Sequence, residues 1–538
     1  MLGRQWAALM HTWEAWQVEL HGKYSVERMH RLQQYSRRSS LTHALLVIVA
    51  TPLPCVLSVI LADLIPLAAP ERGLAHSHTF WLRTFIIAWI TNFTMMEQGR
   101  HFTPSLHITG FLLLVIASTV LWGKRVRGNP AVQAEIISYL KVVGAPVSLI
   151  FIYPAYNYVF LGLSLAKQTA FALLLPAMKI LTKNAIAYLV RHIEDFKPKV
   201  VIFNVEILHA LFVASCMQQS NALHTTIVLM TMDFLQACAS LRDVDLLLKS
   251  LRELTNSATQ SSAAETRASQ AHSKYFNPLD AVMYLLSINR QLQSDGSLRL
   301  NSQAKSQPPR PNTNVIWPNE IRKLSSTVPA GSSTRVATKQ RLEARRHFGR
   351  SQKNAVHSGA SMWPRSPSME ALLDAFAGAA HLDDADKQRL TLLGPQDRLQ
   401  VIQQTLQLLH LTEFLLLVEF TEVVVPCIYC VFMGAVSQMP NRQFYSNLHD
   451  LDDVSLKLNI AKVLAYAGLE IVSFIILAAL LRRKTRVSPL KQLAFVLESQ
   501  WQLVQSKLVL WVLFSLPTTL AHMGIDYSFQ FAWLHKDK

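Results

Sequence analysis

Charge is scarce in this chain. Asp, Glu, Lys and Arg make up only 16% of its 538 residues, against roughly 25% in an ordinary soluble domain, so a soluble globular or disordered protein describes the whole poorly. Cysteine is also sparse: Cys55, Cys216, Cys238, Cys427 and Cys430 all lie in or beside apolar runs. No disulfide framework is expected from that placement. There is no HExxH, no GxSxG and no GxxxxGKS/T, which leaves metalloprotease, hydrolase and P-loop readings without support. The chain therefore reads as non-enzymatic, with no cofactor expected. Its first 40 residues lack an apolar stretch of about 7 to 15 residues followed by small residues, so the first span is expected to act as an uncleaved insertion signal.

What the chain does have is apolar sequence in long runs. Half its residues are hydrophobic, and the net charge is +17. Runs near 20 residues are what a helix needs to cross a bilayer. Candidates are Leu41–Pro66, Thr79–Met96, Ser105–Trp122, Val142–Ala166, Val200–Met217, Thr225–Leu241, Phe414–Val436, Ile460–Leu481 and Leu508–Met523. The predicted fold class is an all-α, polytopic helical integral membrane protein of about nine spans, range eight to ten. Pro52 and Pro54 remove backbone donors and are expected to kink or divide the first run.

The chain divides into five regions. Residues 1–40 hold an amphipathic helix, with Trp6, Leu9, Met10, Trp13, Trp16 and Leu20 on one face and Gly22 to stop it, then a basic segment. That face suits either a membrane interface or the protein's own spans. Residues 41–255 form a bundle of about six spans. Residues 256–366 are rich in Ser, Gln, Asn, Pro and Arg and read as a disordered cytoplasmic loop, with a short apolar island at Asn277–Ile288. Residues 367–410 read as amphipathic cytoplasmic helices broken near Gly394 and Pro395, and 411–538 as a second bundle of about three spans. Within it, a helix starting at Ser488 and Pro489 would place Leu490, Leu493, Ala494, Leu497 and Trp501 on one face.

Residues 168–190 stand apart. Lys179 and Lys183 share one helix face there, and a lysine near mid-span costs about 2.5–3.5 kcal/mol on insertion scales. An interfacial or re-entrant helix is expected. Setting it aside places the N-terminus, the central loop and the cluster Arg482, Arg483, Lys484, Arg486 together on the cytoplasmic side, as the distribution of positive charge requires. Lys124, Arg125 and Arg127 oppose this order for the loop 123–141.

The stretch YSVERMHRLQQYSRRSSLTHALLVIVATPLPCVLSVILADLIP at Tyr24–Pro66 resembles a large family of multi-pass membrane proteins predicted from oomycete genomes. The likeness recurs in FIYPAYNYVFLGLS at Phe151–Ser164, in QTAFALLLPAMKILTKNAIAYL at Gln168–Leu189, in KPKVVIFNVEILHALFVASCMQ at Lys197–Gln218, in TTIVLMTMDFLQACASLRDVDLLLK and in the final IDYSF. It covers most of the membrane portion and not the central segment. The resemblance implies a membrane fold and supplies no catalytic residues.

Ionisable residues at membrane depth are the most informative features, since each must be paired, neutralised or hydrated. Glu206, Asp233, Glu419, Glu422 and Glu470 form a candidate polar path for protons or cations. The alternative has the acids of the Phe414 run at the interface, and the others satisfied by Lys179, Lys183 or hydroxyls. Glu419 and Glu422 share a helix face, whereas Glu413 is rotated roughly 120 to 180° away at about 100° per residue. Asp63 and Arg83 are expected to form a structural ion pair. Cys427 and Cys430 have CxxC spacing without a second ligand pair, so core packing is the expectation.

Between residues 295 and 366 there are thirteen basic residues and three acidic ones, a balance of +10 within the chain's +17. The segment lacks the aromatic interleaving of a nucleic-acid binder, and anionic lipid headgroups are the expected partner, with cytoplasmic proteins as a further one. Two functions fit this pattern: a non-enzymatic regulatory or scaffolding membrane protein with a lipid- or partner-binding loop, or a transporter or channel using the intramembrane carboxylates.

Overall fold

The computed structural model describes residues 22, 24–69, 78–87, 174–189, 197–219, 223–260, 278–288, 384–449 and 451–523, with single positions between 152 and 171. Among them there is no strand, only an isolated bridge between Tyr445 and Leu520. The all-α expectation holds. Chain packing divides the molecule into a larger unit, Met1–Val282 with Leu382–Lys538, and a smaller one, Met283–His381. The helical bundle belongs to the larger unit. The N-terminal Trp-bearing helix, the Ser105–Trp122 run, the 123–141 loop and residues 295–366 lie outside the described residues.

The described helices are α1 (Val26–Arg38), α2 (Leu41–Ala50), α3 (Leu53–Asp63), α4 (Leu174–Leu189), α5 (Lys197–Gln219), α6 (Leu223–Gln260), α7 (Pro278–Ile288), α8 (Asp384–Leu392), α9 (Pro395–Val436), α10 (Asp453–Thr485), α11 (Pro489–Ser499) and α12 (Trp501–Ser515). Residues 78–87 are helical as well. Among the described residues, three stretches are long and apolar enough to cross a membrane: Leu41–Asp63, Pro395–Val436 and Asp453–Thr485. Such helices mark a membrane-embedded protein.

Local chemistry explains most boundaries. Ser25 caps α1 by accepting from the Arg28 amide at 3.2 Å, and Ser40 caps α2 through the His43 amide at 3.1 Å, each supplying a partner to a helix-start donor. Pro52 and Pro54 split the first run into α2 and α3, as their missing donors require. Gln505 donates to the Thr51 carbonyl at this joint, at 2.6 Å. Gly394 and Pro395 open α9, with proline at the first turn where its missing N–H is harmless. Inside α9, Pro426 withdraws the donor that would satisfy the Glu422 carbonyl one turn earlier.

α9 is the central element, buried along nearly all its length from Val401 to Val436. It packs against α10, α5, α6, α3 and α11. α2, α3 and α10 instead expose apolar side chains outward, among them Leu45, Leu46, Val49, Leu53, Leu57, Leu61, Leu469, Val472, Ile475 and Ile476.

Four sequence expectations change. The boundary at 410/411 does not exist, because α9 runs through it unbroken; its cytoplasmic-looking half is already buried against other helices. The 256–366 segment is not uniformly irregular: α6 continues to Gln260, and the apolar island is the helix α7, with Leu279, Ala281 and Val282 buried and Asp280 accepting from Gln33 at 3.1 Å. Leu508–Met523 is not one helix. α12 stops at Ser515, and short 3-10 turns carry Pro517 and Ala521–Met523. In α11 every side chain from Gln492 to Leu497 is buried, while Trp501 begins the next helix and is 58% exposed; the helix is enclosed by neighbours on several sides rather than amphipathic.

Candidate functional site

The acids and lysines that sequence placed on separate runs meet inside the bundle. On α4, Lys179 and Lys183 lie four residues apart and so share one face. α5 supplies Glu206, α9 supplies Glu419 and Glu422 three apart, and α10 supplies Glu470. Lys179 Nζ lies 2.9 Å from Glu206 Oε2 and donates to Glu422 Oε1 at 2.7 Å. Lys183 Nζ reaches Glu206 Oε1 at 2.5 Å and sits 5.5 Å from the centre of the Phe414 ring. Glu206 is fully enclosed and Lys179 is 1% exposed.

Glu422 joins this ionic group to a second one. Glu419, Glu422 and Glu470 each present a carboxylate oxygen, and these oxygens lie within 4.8 Å of one another. All three side chains are buried. Four carboxylates and two ammonium groups thus form one connected cluster drawn from four helices. Buried like charges at this spacing favour a shared proton or cation, and three carboxylate oxygens are a donor set suited to a hard cation.

Polar groups border the cluster on α5. His209, one turn from Glu206, has Nδ1 3.3 Å from the Tyr153 hydroxyl. Trp511 of α12 donates to Asn204 Oδ1 at 3.1 Å. These contacts fix the rotation of α5, and hence the direction in which Glu206 points.

Of the five residues expected along a polar path, Glu206, Glu419, Glu422 and Glu470 converge. Asp233 lies on α6, with its side chain outside the described residues. Glu413, Glu419 and Glu422, which the interfacial alternative would leave reaching toward headgroups, are all buried among neighbouring helices. Glu413 is separate, as its rotation required: Arg28 Nη2 donates to both its oxygens at 3.0 Å, with the guanidinium 4.9 Å from the Tyr24 ring centre. The insertion penalty that set 168–190 apart assumed lysines facing lipid. Lys179 and Lys183 are instead buried against carboxylates, where attraction offsets desolvation.

Asp63 and Arg83 form the expected ion pair at 2.6 Å. The surrounding network was not foreseen. Tyr445 donates to both Asp63 oxygens at 2.9 Å and accepts from Arg83 at 3.1 Å. Asn441 donates to the carbonyls of Asp63 and Ile65 at 2.8 Å and accepts from the Leu67 amide at 2.9 Å. Cys427 and Cys430 are free thiols, the latter buried, in keeping with core packing.

On the side where α1 ends, Glu498 of α11 accepts from the Tyr35 hydroxyl at 2.8 Å and lies 3.1 Å from His43 Nε2. Burial and this carboxylate push the Tyr35 hydroxyl well above the usual tyrosine range, so it remains a donor through the alkaline range. Burial also lowers the His30 imidazole, with the adjacent Arg31 adding to the effect. The most informative residues that sequence reasoning left unassigned are Arg28, Asn441 and Tyr445; the i, i+4 lysine pair was the one available signal for an ionic face. Compared with protein-family models, curated proteins and solved structures, the chain finds no match.

Proposed function

We propose that the chain is a multi-pass integral membrane protein that moves protons or small cations through the cluster of Lys179, Lys183, Glu206, Glu419, Glu422 and Glu470, with no enzymatic activity. The supporting observation is convergence: three carboxylate oxygens from α9 and α10 lie within 4.8 Å of one another and connect through Glu422 to Lys179 and Glu206. A purely static scaffold has no use for three buried carboxylates side by side, since each additional like charge raises the cost of the folded state. A transport site does, because a proton or cation held there is released when the lysines or carboxylates exchange partners.

The test is flux in proteoliposomes under a proton or monovalent-cation gradient. Glu470→Gln, which keeps size and removes charge, is expected to bring flux down to that of protein-free vesicles, while the variant elutes from gel filtration as the wild type does. Equal flux in the two proteins would remove Glu470 from the mechanism.

A regulatory role for the central segment is a second reading, favoured by the +10 balance of residues 295–366. In it, this cytoplasmic segment lies on anionic headgroups. A peptide covering 295–366 is expected to bind anionic vesicles and to come off as salt rises, since screening acts over about 8–10 Å near physiological ionic strength. Binding that ignores lipid charge would reject the idea.

A further inference from the structure

Two outward apolar stripes end on arginines at the same end of the bundle. On α10 the exposed Ile475 and Ile476 are followed seven residues later by Arg482 and Arg483, both exposed. Two turns separate the pairs, so the arginines continue the apolar face. On α2 the exposed apolar side chains include Leu41, Leu45, Leu46 and Val49, with Thr42 and His43 also exposed in its first turn, and the last turn of α1 just before them carries the exposed Arg37 and Arg38. α11 brings the two stripes together. It packs on α1, α2 and α10. Its capping Ser488 follows Arg486, which ends α10 in a left-handed conformation at φ 60°, and Lys491 in its first turn donates to the Ser36 carbonyl at 2.7 Å. Of the acids around these helices, Asp245 pairs with Lys484 and Glu498 lies against Tyr35 and His43.

We propose that Arg37, Arg38, Arg482 and Arg483 bind the phosphate headgroup of an anionic phospholipid, with its acyl chains against the stripes of α2 and α10. A soluble anion or an acidic peptide would use the arginines and leave the adjoining aliphatic side chains in water. A phospholipid uses both, because guanidinium groups suit phosphate oxygens and leucine and isoleucine suit hydrocarbon. This site is distinct from the ionic cluster and from the central segment, and its failure would leave the transport reading standing.

The experiment uses the full-length protein in neutral detergent, titrated with fluorescent phosphatidylglycerol. Wild type is expected to bind it in preference to phosphatidylcholine of the same chain length. R482Q/R483Q should bind roughly 30-fold more weakly, from two charges near the surface, while R482K/R483K retains binding. Inorganic phosphate at millimolar concentration should not displace the lipid. A photoactivatable phosphatidylglycerol on wild-type protein reads the site independently of any variant's folding, and labelling within 41–49 and 471–483 is expected. Labelling confined to 295–366, unchanged affinity in R482Q/R483Q, equal binding of phosphatidylcholine, or displacement by phosphate would each overturn the proposal.

Discussion

Replacing Lys179 by Met is expected to destabilise the protein by about 3–5 kcal/mol, the range for removing one partner from a buried ion pair. Lys179 lies within ion-pair distance of both Glu206 and Glu422. Its loss leaves Glu206 to Lys183 and removes the only described cation within ion-pair distance of Glu422, beside Glu419 and Glu470. Lys183→Met should cost less, because the ion pair that places Lys179 between Glu206 and Glu422 stays intact. A double-mutant cycle separates a true pair from general damage: adding Glu422→Gln to Lys179→Met should recover part of the loss, since the second change removes the carboxylate the first left exposed to like charges. Thermal unfolding of the four proteins in one detergent measures this. Strict additivity of the two single effects would show that the pair is not coupled.

An effect of the same size is expected at the Asp63 network. Arg83→Met leaves Asp63, fully enclosed, without its cation, and about 3–5 kcal/mol should be lost. Tyr445→Phe keeps the ion pair and removes hydroxyl bonds to both partners, so a smaller loss of about 1–3 kcal/mol is expected. Asp63→Asn with Arg83→Met should recover stability relative to Arg83→Met alone, because neither buried charge then remains. Unfolding midpoints give the order directly. A Tyr445→Phe loss exceeding that of Arg83→Met would place the energy in packing around the tyrosine ring rather than in the charges.

Local chemistry was readable in the sequence. Pro52 and Pro54 divide the first run, Gly394 and Pro395 open α9, and Ser488 and Pro489 open α11, because each acts on backbone donors within a few residues of itself. The separation of Glu413 from Glu419 and Glu422 was readable too, since rotation along a single helix is fixed by residue count. What a helix faces across the bundle is not fixed that way. The lysines of α4 looked like an obstacle to membrane burial because their partners come from α5 and α9, and Glu422 is 243 residues away in sequence. Arg28 gave no sign of its role for the same reason: its carboxylate partner is 385 residues away. α11 failed in the opposite direction. Its leucines suggest one apolar face, yet neighbours enclose it more completely than its own periodicity implies.

Those long separations bear on how the molecule is made. Arg28, Arg83 and Lys179 emerge from the ribosome early, whereas Glu413, Tyr445 and Glu422, each a contact of one of them, belong to the last third of the chain. At roughly 5–20 residues per second, the 385 residues between Arg28 and Glu413 take about 20–80 s to synthesise. For that interval Arg28 is without its described carboxylate partner, and Lys179 has Glu206 beside it but not yet Glu422. The first half therefore gains its remaining ionic contacts only once α9 and the residues just after it have been made.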